Sequence, residues 1–339
     1  MARLFIDGLE QGNRDAFTRT GGTGNFMVYG SPPTGFSGSY YMQGEATFGN
    51  SYAEVDLSPS KAEIYGALKL SVASTNVQNK GVLAFYDSGG TTVIGSIILV
   101  WNSPNFTVRA LRGGQNGTTL ATGSITFGAD TVILLEFWYK PLNSGGVFQV
   151  KVNGTLDINY SGDTTDGLEN VARVRYGYQA VNVARLNFDD MVLDDANWIG
   201  NTRIQKLQIS GAGTTTEWDA STGSPYQCID EISYNDSDYV STNVVNESLT
   251  CACANMTGNV AAVKCLVLYG RMAYEGNPTP TKQKLAIRVN ETEYYGSDES
   301  PSLSFAKATP KIWELNPDDA AAWEEADINA IEIGVRSVT

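Results

Sequence analysis

Asn153-Gly154 stands between two runs of alternating residues, and no other feature of this sequence constrains its fold as tightly. Phe148, Val150 and Val152 alternate with polar residues before it, and Leu156, Ile158 and Tyr160 do so after it. Asn and Gly both tolerate the positive φ angles of a two-residue hairpin turn, so residues 147–160 predict a β-hairpin. Similar runs, separated by turn residues, extend back to the start of the chain and forward to Gly200. Stretches 2–6, 26–29, 39–42, 53–57, 64–72, 82–86, 93–101, 106–111, 131–139, 171–178 and 184–193 all read as strands. No stretch in this part has the periodicity of an amphipathic helix. About a dozen strands without a helix call for two packed antiparallel sheets. Residues 1–200 therefore predict a β-sandwich.

At 339 residues the chain exceeds what one ordinary core takes, and a second domain is expected over 201–339. Stretches 203–209, 260–269, 284–289 and 331–338 read as its strands. Asn316-Pro317-Asp318-Asp319 has cap and first-turn chemistry, which places one short helix within 320–329. The expected fold is all-β, a larger sandwich followed by a smaller sandwich-like domain that serves docking or assembly. All four cysteines, Cys228, Cys251, Cys253 and Cys265, fall in this second half. They lack the paired Cys-x-x-Cys knuckles of structural zinc and read as free thiols, with a disulfide formed after release left open.

Composition narrows the function. There is no histidine, which removes Ser-His-Asp hydrolases, Cys-His enzymes and His-ligated metal catalysts. The net charge of −14 disfavours nucleic acid and anionic membranes as partners. The opening Met1–Gly8 shows no signal-peptide core, and no window reaches the length of a membrane helix. Synthesis in a cytoplasm is expected. Sequons such as Asn105 and Asn116 then read as loop vocabulary rather than glycosylation sites.

Three kinds of candidate site stand out. Glu54-Val55-Asp56 would place two carboxylates on one strand face, and glycoside hydrolysis needs such a pair about 5–9.5 Å apart. Glu136, inside an apolar run, reads either as an acid of raised pKa or as a solvent-face position. Asp163 and Asp166 in one loop, and Asp236 and Asp238 in another, are candidate calcium ligands, because calcium prefers closely spaced oxygens. Asp189, Asp190, Asp194 and Asp195 form a further acidic cluster. No cofactor other than calcium is expected. Tyr40, Tyr41, Trp101, Trp138, Tyr176 and Tyr178 read either as core or as a sugar-stacking platform.

Several segments carry a resemblance. They are the opening Leu4-Phe5-Ile6-Asp7-Gly8, the run Leu134-Leu135-Glu136-Phe137-Trp138-Tyr139, the turn after Val150, and Phe188-Asp189-Asp190-Met191-Val192-Leu193-Asp194. Residues 1–198 resemble the concanavalin A-like lectin/glucanase superfamily, of the laminin-G-like kind. That resemblance implies a jelly-roll of two curved sheets. The third carboxylate of the glucanase motif is missing, since Leu57-Ser58-Pro59 follows Asp56.

The whole chain also resembles a type of tailed-phage virion structural protein. Trp198-Ile199-Gly200, Thr216-Glu217-Trp218, Ile229-Asp230-Glu231 and the ending Trp313-Glu314-Leu315-Asn316-Pro317 carry that likeness. It implies a non-enzymatic protein on the particle exterior, as a head decoration, head fibre or tail-associated component of the virion. The expected partners are major capsid or tail proteins, further copies of the chain, and host surface glycans. A carbohydrate-binding adhesion module and, behind it, a glycoside hydrolase stay open as alternatives.

Overall fold

The computed structural model describes residues 3–22, 26–45, 51–73, 80–177, 185–276 and 280–339. The chain divides into two compact units, Met1–Gln205 and Lys206–Thr339. Among the described residues, the first unit is a sandwich of two antiparallel sheets. The larger sheet runs in the order Thr155–Gly162, Gly146–Val152, Ile133–Lys140, Ile64–Val72, Arg185–Asp194, Tyr40–Glu45 and Phe26–Gly30, and Arg3–Asp7 also pairs with Arg185–Asp194. The other runs in the order Thr118–Thr122, Asn105–Arg112, Val93–Asn102, Lys80–Tyr86, Val171–Tyr176, Ser51–Lys61 and Arg19–Gly22. An all-β sandwich is what the alternating runs predict.

The hairpin forms as its sequence requires. Asn153 and Gly154 take φ angles of 51° and 80°, and the Gly146–Val152 strand returns as Thr155–Gly162. Phe148, Val150 and Val152 turn inward, as do Leu135, Phe137 and Tyr139 on the next strand. Their rings meet Phe85 of the opposite sheet, with centroids 5.1 Å away for Phe137, 4.8 Å for Tyr139 and 5.8 Å for Phe148. Gly66 makes room beneath Phe137, because a Cβ there would lie 2.2 Å from the ring's Cζ.

The second unit is built on a five-stranded antiparallel sheet in the order Ile209–Thr216, Ser248–Cys253, Glu332–Val338, Lys282–Val289 and Thr292–Tyr295. Ile287, Val289, Trp313, Trp323, Ile328 and Ile331 form its main core cluster. The short helix is Glu325–Ala330, inside the expected stretch but for its last residue, and it starts later than the Asn316–Asp319 cap would place it. Asn316 and Asp319 spend their side chains on local turns instead, accepting the Asp318 and Ala321 N–H groups at 3.0 and 2.9 Å. The helix start falls to Glu324, whose N–H donates to Asp327 at 3.0 Å. Residues 203–208 are not a strand, and the Ile204 N–H is taken by Asp190 at 2.8 Å. Of the stretch 260–269, only Leu266–Leu268 pairs, with Lys311–Trp313.

Candidate functional site

The carboxylate pair forms, but as part of an ion-pair ladder. Glu54 and Asp56 lie on the outer face of the seven-stranded sheet, opposite Arg175 and Arg173 in register. The Arg175 Nη2 is 2.6 Å from Glu54, and the Arg173 Nε lies between Glu54, at 3.6 Å, and Asp56. Arg19 reaches Asp56 at 3.1 Å. The Arg175 guanidinium also sits over the Tyr52 ring, 3.9 Å from its centroid. Glycosidase carboxylates must meet a substrate oxygen or a water. Here both meet guanidinium groups, and Glu54 is 2% exposed.

Glu136 belongs to a different arrangement, on the outer face of the eight-stranded sheet. Leu135, Phe137 and Tyr139 fill the core, so Leu134, Glu136 and Trp138 point away from it. Lys151 stands directly across from Glu136. After the last strand, Asp194 accepts the Ala196 and Asn197 N–H groups at 2.8 and 3.1 Å. That turn brings Trp198 back over the sheet, where its ring meets the Tyr65 ring edge-on at 6.0 Å. Tyr65 in turn stacks on Trp138 at 5.4 Å. Gly200 N–H donates to Glu136 Oε1 at 2.9 Å, and Lys151 Nζ lies 3.8 Å from the Trp198 ring centroid. Leu134, Glu136, Lys151, Asn153, Trp198 and Asn201 line a cavity of about 460 Å³. It offers an aromatic wall and an ammonium donor, with Glu136, 2% exposed, at its floor.

The candidate calcium ligands lie among other partners. Asp163 and Asp166 converge on Arg112, the latter at 3.1 Å. Asp236 takes Arg271 in a two-pronged pair at 2.9 and 2.7 Å. Asp238 instead accepts the Ser221 and Thr222 hydroxyls at 3.1 Å each. Among the described residues no group of three or more Cys, Asp or Glu side chains is placed to hold a metal ion.

The acidic cluster is buried and split. A bulge in Arg185–Asp194 brings both Asp189 and Asp190 to the Lys69 side of the sheet, where both are buried, with Asp190 at φ 48°. Asp189 accepts the Ser37 and Asp190 N–H groups, and Asp190 pairs with Lys69 at 2.8 Å. Asp194 and Asp195 pair separately, with Arg3 and Lys61, at 3.2 Å each.

Tyr176 is core, Trp101 packs on Phe106, Tyr41 packs on Tyr29, and Tyr40 is half-buried. Only Trp138 of the six candidate aromatics adjoins the pocket through its stacking partner, and Tyr178 lies outside the described residues. Cys228, Cys251 and Cys253 are buried free thiols. No described helix is long and apolar enough to cross a membrane. The sequence reading missed Lys151, Asn153 and the arginines opposite Glu54 and Asp56. Arg173-Val174-Arg175 was the available signal for the arginines, since its i, i+2 spacing matches that of the two acids.

No protein-family model and no curated protein matches the chain. Solved structures do resemble its fold. An endo-β-1,4-glucuronan lyase from the fungus Trichoderma reesei is 14% identical, covering 57% of this chain and 96% of its own, with a TM-score of 0.46. A carbohydrate esterase from the Shiga toxin-encoding bacteriophage phi24B is 12% identical over 58% and 99%, at 0.40. A Bacillus subtilis protein with a galectin-like fold is 11% identical over 59% and 98%, at 0.40. These are likenesses of fold alone. They nevertheless correct the expectation that this chain is no enzyme, since a lyase and an esterase are among them. The missing histidine removes only His-dependent chemistries, because carboxylates, Lys and Tyr also transfer protons.

Proposed function

We propose that this chain recognises carbohydrate through the pocket beside Trp198. One observation carries the reading: an indole, an ammonium and a carboxylate converge on a cavity of about 460 Å³. Saccharide rings are held by aromatic faces with a few convergent polar groups around them. Lys151 supplies a donor, and the buried Glu136 fixes the wall through the Gly200 N–H. Asn153 Oδ1 accepts the Leu134 N–H at 2.8 Å, so its amide NH₂ is the group turned to a ligand. Trp198→Ala is expected to weaken binding of any saccharide identified on a glycan array by about tenfold or more. Calorimetric titration of both proteins checks this, and equal affinities would remove the pocket from consideration.

The setting we infer is the outside of a tailed-phage virion, as head decoration, head fibre or tail-associated protein. Capsid or tail proteins and further copies of the chain would be its neighbours, and host surface glycans its ligand. The support is the pattern of the whole sequence, from Trp198-Ile199-Gly200 to the Trp313-Glu314-Leu315-Asn316-Pro317 ending. Mass spectrometry of purified particles tests the placement, which fails if the chain is missing or present only as a contaminant.

A further inference from the structure

Resting on that reading, we infer that the pocket selects saccharides bearing a carboxylate, and that Lys151 makes the selection. Lys151 and Glu136 are direct cross-strand partners, a position from which opposite charges ordinarily pair. They do not pair here. Glu136 Oε1 is turned to the Gly200 N–H, and the Lys151 ammonium lies against the face of Trp198. Six other cations of this unit behave differently. Arg3, Lys61, Lys69, Arg112, Arg173 and Arg175 each meet a carboxylate within 4 Å. Lys151 joins none of the ion pairs among the described residues, and it lines the cavity.

An aromatic face compensates a half-buried ammonium only in part, and an anion compensates it better. A sugar ring resting at the indole wall brings a carboxylate on that ring to Nζ. The charge of Glu136 also sets a limit, because a second acid group in the same cavity would face it unpaired. The ligand class is therefore a saccharide with one carboxylate per residue, such as a uronic acid.

Methyl esterification removes that charge while keeping the sugar skeleton. Oligomers of galacturonate, glucuronate and mannuronate, each beside its methyl ester, are titrated calorimetrically into the full chain. The wild type is expected to bind at least one acid form about five- to tenfold more tightly than its ester, with the gap shrinking at about 0.5 M salt. Lys151→Gln should abolish the gap, and Lys151→Arg should retain most of it. Equal affinity for acid and ester, or a gap that survives Lys151→Gln, overturns the selection. If neutral glycans bind, Trp198→Ala abolishes that binding and no acid form binds, the pocket stands and its selectivity is lost. Binding indifferent to Trp198→Ala, or no saccharide bound at all, defeats both.

Discussion

Phe85→Ala is expected to lower the stability of the first unit by about 3–5 kcal/mol. Phe85 is fully buried on the Lys80–Tyr86 strand and meets Phe137, Tyr139 and Phe148 of the opposite sheet. Removing the ring opens a cavity between two sheets whose backbones are held by their own ladders and have little freedom to close it. Phe85→Leu keeps more of the volume and should cost less, about 1–1.5 kcal/mol. Leu156→Ala, on a side chain 45% exposed, should stay within about 0.5 kcal/mol. Calorimetric unfolding of the full chain checks the series. A Phe85→Ala loss no greater than that of Leu156→Ala would mean that the inner faces are not packed as described.

Lys69→Met should cost a similar amount, about 3–5 kcal/mol near neutral pH, for an electrostatic reason. Lys69 holds Asp190 at 2.8 Å and donates to the Ser37 hydroxyl at 2.6 Å, and its removal leaves Asp190 buried without its cation. Beside it, burial and the Asp190 charge push the Asp189 carboxyl up to about 8, against the pull of the two N–H groups it accepts. Glu10, raised mainly by burial, adds a weaker push, and Arg203 offsets part of the charge on Glu10. The folded state thus keeps a proton that the unfolded chain releases near pH 4, so this group's contribution to stability falls as pH rises from about 4 to about 8. The Lys69→Met deficit should therefore shrink on acidification, when the proton on Asp189 removes the like charge beside Asp190. Urea unfolding at pH 5 and pH 8 tests this. A pH-independent deficit would assign the loss to the packing of the lysine stem instead.

The legible and illegible parts of this protein separate along a physical line. Phe148, Val150 and Val152 announced their strand and its inner face, because a strand shows its burial as a two-residue alternation. Glu54 and Asp56 were legible as a pair on the same grounds. What the pair faces was not, since Arg173 and Arg175 lie more than 100 residues away and only the register of Val171–Tyr176 on Ser51–Lys61 brings them opposite. The fate of Asp189 and Asp190 was hidden by a bulge, which breaks the alternation from which facing is read. In the second unit, local side-chain bonds from Asn316 and Asp319 displaced a helix start that composition alone had placed earlier.

The pocket shows the division most clearly. Alternation and turn chemistry determined by themselves that the first half is a sandwich, and that Glu136 stands on the strand that also buries Phe137. Tertiary structure alone decided that Lys151 would stand opposite Glu136, that Trp198 would fold back over both, and that the ammonium would turn to the indole rather than to the acid. Strand identity is encoded between near neighbours, where spacing along the chain is also spacing in space. A binding site is encoded between residues that meet only after the sheets have paired, and no local period records that meeting.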